Sequence, residues 1–101
     1  MGVSQSLIRR IDKHYELESG FLGRLRSGAF DAIEAADLLA ALRELDLGDE
    51  VDVNRRLVSL LWYMPLFIEW QERRVPESNQ LALRTVLNEV TTELERVLGV
   101  P

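Results

Sequence analysis

A chain of 101 residues has room for one domain, residues 1–101, and its 47% of hydrophobic residues is ordinary for a globular protein and too high for a disordered one. The absence of cysteine excludes disulfide bonds, thiol catalysis and thiolate metal sites. The formal net charge of −5 opposes contact with phosphate backbones. Because the basic residues occur as doublets rather than as a stripe, nucleic-acid binding is disfavoured.

The first part of the chain predicts two helices. The first begins near Ser4 or Ser6, because a serine side chain can cap the free N–H groups of a first helical turn. Its apolar residues recur three or four positions apart, as on one helical face: Leu7, Ile8, Ile11 and Tyr15. A second, short helix is expected from about Ser19 to Ser27, and Gly28 follows it as a stop signal.

The third helix is expected to open at Asp31. The Asp31 side chain can accept hydrogen bonds from first-turn N–H groups, and Glu34 stands three positions later, as in a capping box. An apolar stripe is expected on this helix, formed by Ile33, Leu38, Leu42 and Leu45. The helix is predicted to end at Leu47-Gly48, and residues 49–53 form a polar link whose aspartates can cap the next helix.

The fourth helix is predicted from near Asp52 to about Arg74. Over residues 57–70 it is apolar on every side, which indicates a helix surrounded by protein at the centre of the domain. Pro65 lies inside it and removes one backbone hydrogen bond. Because the apolar sequence continues on both sides of Pro65, we expect a kink there and no break.

The aromatic residues of the fourth helix are expected to divide between core and rim. Trp62 and Phe67 are predicted in the core, whereas Tyr63 and Trp70 are predicted at the rim, because both carry a polar atom that needs a partner. The longest apolar run, residues 57–68, has twelve residues, which is short of the roughly 20 that a membrane span needs. We therefore expect no contact with a membrane.

The last helix is predicted from about Glu77 to Leu98, with Gly99 as its stop. Its buried face is expected to contain Leu83, Val86 or Leu87, Val90, Leu94 and Val97. No stretch of the sequence shows the sustained alternation of a strand. The sequence therefore predicts an all-α fold, a single-domain bundle of four or five helices with a central, kinked apolar helix.

Side chains that carry chemistry are dispersed along the sequence. The single histidine, His14, has no second His or Cys for a metal and no serine in a triad arrangement, so a surface or half-buried structural role is expected. The acids that begin at Asp46 do not fit a calcium loop, because Gly48 is misplaced and the twelfth position is Leu57. We expect no catalytic residue, no metal, no cofactor and no enzymatic activity.

Acidic residues are concentrated in one segment. Between Asp31 and Asp52 eight carboxylates stand against one base, Arg43, which gives a formal −7. A local field of one sign affects partners and association rates rather than the fold. Helix capping accounts for the acids near Asp31 but not for the later ones. The predicted partner-binding residues are Asp37, Glu44, Asp46, Asp49, Glu50 and Asp52, together with Tyr63 and Trp70.

One stretch carries a family resemblance: Phe21-Leu22-Gly23-Arg24-Leu25-Arg26-Ser27-Gly28-Ala29-Phe30-Asp31, which precedes the acidic helix. With its small size and helical pattern, the chain resembles the small acidic immunity proteins of bacterial toxin systems, including those of contact-dependent growth inhibition. The resemblance implies a cytoplasmic inhibitor that binds and blocks one cognate toxin domain, often a nuclease with a basic active-site cleft. An acidic surface would complement such a cleft.

A second interpretation assigns no toxin partner to the chain. It could be a helical dimerisation or regulatory module whose acids only keep it in solution. In that case the apolar residues of the 57–70 segment are shared with a second copy, and a homodimer is expected. Gly2 and Ser6 also match the pattern for N-myristoylation, but this pattern is short and frequent by chance, so we interpret Ser4 or Ser6 as a helix cap.

Overall fold

The structure is a computed structural model that describes residues 3–48 and 52–101. Within these ranges it contains five α-helices and no strand, so the prediction of an all-α bundle is confirmed. The helices are α1 (Gln5–Lys13), α2 (Phe21–Leu25), α3 (Ala32–Arg43), α4 (Arg55–Gln71) and α5 (Glu77–Leu98), with a short 3₁₀ helix at Glu72–Arg74. Three residues singled out in the sequence, Gly2, Asp49 and Glu50, lie outside the described residues.

The first two helices begin close to where the sequence places them. Ser4 caps α1, since its Oγ accepts a hydrogen bond from the backbone N–H of Leu7 at 3.2 Å. The second helix is shorter than predicted and covers only Phe21–Leu25. Four of its five residues are buried, so packing against the bundle stabilises a helix too short to persist alone.

The start of α3 confirms the predicted cap. The Oδ1 atom of Asp31 accepts hydrogen bonds from the N–H groups of Ile33 at 3.0 Å and Glu34 at 3.1 Å. The predicted apolar stripe is wrong at its first member, because the side chain of Ile33 is 82% exposed. Ile33 and Leu38 are five positions apart, and that spacing does not keep two residues on one helical face.

The end of α3 is set by a residue from α5. Helix α3 ends at Arg43, earlier than the predicted Leu47. The guanidinium of Arg96 donates hydrogen bonds to the carbonyl oxygens of Leu42 and Leu45, both at 3.0 Å. A cation at this position satisfies free carbonyls and complements the negative end of the helix dipole. The contact with Arg96 therefore lies before the stop signal at Gly48, and the helix ends there.

Helix α4 continues through Pro65 from Arg55 to Gln71, so the prediction that the proline does not end it is confirmed, and the kink itself stays a prediction. The expected capping role of the aspartates is taken by another residue. The Oδ1 of Asn54 accepts from the N–H of Leu57 at 3.0 Å, and the helix begins at Arg55 rather than near Asp52.

The expectation that α4 is buried on every side is wrong. One face is buried and contributes Leu57, Leu60, Leu61, Met64, Phe67, Ile68 and Gln71 to the interior. The opposite face is open, and Trp62, predicted in the core, is 57% exposed. Phe67 is buried and Trp70 is exposed, as the sequence predicts. The bundle is too small to cover a second face of α4 with its own helices.

Helix α5 has the predicted bounds, Glu77–Leu98. Its buried residues are Leu83, Val86, Val90 and Leu94, and Val97 is partly buried against the core. Helices α3 and α4 each pack against α1, α2 and α5, so the core lies where these elements meet. Among the described residues, no helix combines the length and the apolar character that crossing a membrane requires.

Candidate functional site

The predicted acidic site is partly neutralised within the chain. The guanidinium of Arg10, from α1, lies between two of its carboxylates on or next to α3. It donates a 2.8 Å hydrogen bond to Asp37 Oδ1 and forms an ion pair with Glu44. Asp31, at the start of the same helix, pairs with Arg24 at 2.6 Å. Three carboxylates counted in the formal −7 therefore face cations from α1 and α2.

The ion pairs and caps change how these carboxylates titrate. The hydrogen bond from Arg10 lowers the pKa of Asp37 below its ordinary value, and the hydrogen bond from His14 acts in the same direction. For Asp31 the backbone N–H of Glu34 contributes most to a lowered pKa, with Ile33 and Arg24 contributing further. Both carboxylates are thus held in the charged form by the fold.

This pairing predicts a loss of stability in acid. A carboxylate with a lowered pKa in the folded state stabilises the fold above its unfolded pKa, and that contribution is lost as the pH falls through the folded pKa. We expect Asp37→Asn to lower the free energy of unfolding at neutral pH by roughly 1 kcal/mol, a modest value because 44% of the side chain is exposed and water screens the pair.

Urea unfolding measured from neutral pH down to about pH 2 tests this, since the ordinary Asp pKa lies near 3.9. Below about pH 4 the free energy of unfolding should fall less in the variant than in the parent. Part of the fall should remain in the variant, because the pKa of Asp31 is also lowered in the fold. Glu95→Gln, which removes the same charge from an exposed position of α5, is the control. Parallel curves for the parent and Asp37→Asn would contradict the pairing.

The acids that remain accessible lie beyond the last turn of α3. Asp46 and Asp52 are exposed, and Asp46 Oδ1 accepts the N–H of Gly48 at 2.9 Å. Glu44 and Asp46 also line a polar recess of about 460 Å³, together with Val3, Ser4, Ser6, Leu7 and Arg10 from the start of the chain. We name Glu44, Asp46 and Asp52 the acidic surface. Glu44 also pairs with Arg10, but its side chain is 58% exposed and it remains on the surface. Asp37 is held by both Arg10 and His14 and belongs to the internal pairing.

His14 is buried, contrary to the expected surface or half-buried position. Its Nδ1 accepts the backbone N–H of Phe21 at 3.3 Å, so the ring proton lies on Nε2, which donates to Asp37 Oδ2 at 2.9 Å. The His14 carbonyl accepts the N–H groups of Leu22 at 2.8 Å and Gly23 at 3.0 Å. One residue thereby ties the end of α1 to the start of α2 and to α3.

His14, Glu34 and Asp37 bring their ligand atoms within 4.8 Å of one another, a spacing that could hold a cation. The ligand atoms of His14 and Asp37 already have partners within the chain. Both ring nitrogens of His14 are hydrogen-bonded, and the positively charged guanidinium of Arg10 pairs with Asp37. We interpret the group as a hydrogen-bonded hub. The expectation that the chain needs no metal stays a prediction.

Tyr63 and Trp70, the other two predicted partner-binding residues, belong to an aromatic cluster on α4. Tyr63 stands edge-on to Trp62 at 5.6 Å and to Trp70 at 5.7 Å between ring centroids. Phe67 lies 6.0 Å from Tyr63 and carries the guanidinium of Arg26 over its ring at 5.2 Å. The structure thus divides the predicted site into the acidic surface and this aromatic cluster.

A groove between α3 and α5 was missed by the sequence predictions. It encloses about 600 Å³ and is mostly apolar, lined by Phe30, Ala32, Ala35, Ala36, Leu39, Ser78, Leu81, Ala82, Thr85 and Val86. The alanines of α3 could have indicated this groove. Small side chains on one face of a helix either let a neighbouring helix come close or create a depression between the two helices.

Comparison of the chain with protein-family models, curated proteins and solved structures gives no match. The function is therefore proposed from the surfaces described above and from the family resemblance of the 21–31 stretch.

Proposed function

We propose that this chain is an immunity protein, a cytoplasmic, non-catalytic inhibitor that binds and neutralises one cognate bacterial toxin domain through its acidic surface. The observation that supports this most directly is the position of Glu44 and Asp46 at the end of α3, on a recess shared with the start of the chain. The resemblance of residues 21–31 to immunity proteins supplies the class of partner.

Two of the three carboxylates of this surface are held before any partner arrives. Arg10 fixes Glu44, and the N–H of Gly48 fixes Asp46. Side chains that are already ordered lose less entropy on binding, which favours affinity. Their charge would complement the basic cleft of a nuclease domain and accelerate its approach. The structural pairing of Asp37 leaves that residue a supporting role in placing Arg10.

The test first examines the neighbouring genes for one that encodes a toxin domain, whose absence would count against the immunity function. Association of that domain with the chain is then followed by stopped flow. Reversal of Glu44, Asp46 and Asp52, the three residues of the acidic surface, to lysine should slow association by roughly tenfold or more at low salt, because steering depends on the local field. The difference should shrink as salt rises, since exposed charges are screened over about 8 Å at physiological ionic strength.

A matched triple reversal at Glu18, Glu77 and Glu95 changes the net charge equally at exposed positions elsewhere. Equal slowing in both triple variants would assign the effect to net charge and reject the acidic surface. A parent protein that neither binds nor protects against the neighbouring toxin would reject the immunity function itself.

A further inference from the structure

His14 is the only histidine of the chain, and its buried ring forms hydrogen bonds to two different helices. Nδ1 accepts the backbone N–H of Phe21, the first residue of α2, at 3.3 Å. Nε2 donates to Asp37 of α3 at 2.9 Å. Because His14 follows directly after α1, one neutral imidazole joins three helices.

The hydrogen bond to Phe21 exists only while the ring is neutral. A neutral imidazole has one acceptor nitrogen, whereas a protonated imidazole donates from both nitrogens. Histidine is also the side chain whose charge ordinarily changes between about pH 5 and 8. A second proton would turn Nδ1 into a donor that faces the N–H of Phe21. Phe21 is fully buried, so this N–H would have no water to replace the lost acceptor.

A second acceptor for Nδ1 stands nearby on α3. Glu34 Oε2 lies 3.9 Å from Nδ1 of His14. A hydrogen bond joins N and O at about 2.7–3.2 Å, so Glu34 does not bond the neutral ring. The Glu34 side chain is 37% exposed and has room to approach. Once Nδ1 carries a proton, that approach would form a charge-assisted hydrogen bond.

The charged groups that face the ring, among the described residues, are Glu34 and Asp37 from α3 and, through Asp37, Arg10 from α1. The charged residue of α2, Arg24, pairs with the start of α3 instead, at 2.6 Å. On α4, Arg56 pairs with Asp12 of α1 at 2.8 Å. The electrostatic surroundings of the ring are therefore set by α3 and by Arg10.

We propose that His14 is a pH-sensitive joint, in which uptake of a second proton moves the Nδ1 hydrogen bond from Phe21 of α2 to Glu34 of α3. The proton comes from solvent and stays on Nδ1, while Nε2 keeps its hydrogen on the bond to Asp37. The carbonyl of His14 does not titrate, so it keeps its hydrogen bonds from Leu22 and Gly23. Protonation therefore loosens the start of α2 without releasing the helix.

The joint goes beyond the immunity function and can be tested without a toxin. It uses no residue of the acidic surface. Its failure would leave the proposed function standing, and a chain that binds no toxin would leave the joint standing.

NMR spectroscopy of the folded chain from about pH 8 to about pH 5 covers the range in which histidine changes charge. The ring nitrogen shifts report the charge and tautomer of His14, and a chain with one histidine needs no variant to assign them. Amide hydrogen exchange, with each rate divided by that of an unstructured chain at the same pH, reports the backbone hydrogen bonds. Protection of the Phe21 amide should fall roughly tenfold as the ring is protonated, as the loss of one hydrogen bond requires.

Leu22 and Gly23 are internal controls, because their N–H groups bond the carbonyl of His14 and not its ring. Their protection should stay nearly constant over the same range. A fall shared by all three amides would be a general loosening and would overturn the joint. So would a ring that stays neutral throughout, or a Phe21 amide that keeps its protection after the ring is protonated.

Glu34→Ala tests the new acceptor. In the parent at low pH, the Nδ1 hydrogen should give a slowly exchanging ring signal, and in the variant it should exchange with water roughly tenfold faster. The cap at Asp31 uses the backbone N–H of Glu34, so the start of α3 keeps its hydrogen bonds in the variant. Glu95→Ala, which removes an exposed glutamate of α5, is the matched control and should leave the ring signal unchanged. Equal exchange of the ring hydrogen in the parent and in Glu34→Ala rejects Glu34 as the acceptor.

Discussion

Gly23→Ala is expected to destabilise the protein severely, by at least about 3 kcal/mol, more than most overpacked positions cost. A Cβ atom at Gly23 would lie 1.9 Å from the backbone oxygen of Glu16 and 2.4 Å from its carbonyl carbon. Both are backbone atoms, so no side-chain rotation relieves the contact. The segment before α2 would have to retreat.

That retreat is opposed by the hydrogen bonds of His14. Its carbonyl accepts the N–H groups of Leu22 and Gly23, and its ring accepts the N–H of Phe21. Moving the segment away from α2 would leave these buried donors without partners, at about 1–3 kcal/mol for each group left unpaired. The close approach and the hydrogen bonds therefore reinforce each other.

Urea unfolding followed by circular dichroism gives the measurement. Gly48→Ala is the control, because a Cβ there meets nothing within 4 Å and only its positive φ of 55° opposes the change, at roughly 1–2 kcal/mol. If Gly23→Ala unfolds at the same urea concentration as Gly48→Ala, the contact with Glu16 is not as close as the structure places it.

The helices were predictable where the deciding signal was local. Ser4 and Asp31 cap the helices that they were expected to cap, and Gly99 ends α5. A capping side chain acts within three or four residues, so the sequence alone carries that information. The end of α3 was not predictable in this way, because Arg96 approaches it from the other end of the chain.

The candidate site was predicted less completely, because its charge depends on contacts between residues that are far apart in the sequence. Counting charges along the 31–52 segment treats Asp37 and Glu44 as free carboxylates. In the fold both face Arg10, which the sequence places 27 and 34 positions earlier. What can be read from a segment is the number of its charges. How many of them remain available to a partner depends on which distant cations pack beside it.

The burial of α4 was misjudged for a related reason. Two apolar faces run along this helix: the residues spaced three and four apart from Leu57 are buried, and the residues spaced four apart from Val58 are exposed. The sequence distinguishes the two faces but does not state how many neighbouring helices exist to cover them. A chain of this size supplies α1, α2 and α5 for one face.

Leu61→Ala and Trp62→Ala are expected to differ sharply in their effect on the monomer, although they are adjacent and both remove a large apolar side chain. Leu61 is fully buried, and its truncation should lower the free energy of unfolding by about 2–5 kcal/mol, the usual cost of lost contacts and an internal cavity. Trp62 points outward and loses mainly its edge contact with Tyr63, worth about 0.5–1.5 kcal/mol.

Urea unfolding of both variants separates the contributions of the two residues to stability. The slope of the free energy against urea should be unchanged in both, because the surface exposed on unfolding stays nearly the same. Equal destabilisation by the two substitutions would mean that α4 is covered on both faces within one chain. In that case the outward tryptophans would belong to the core.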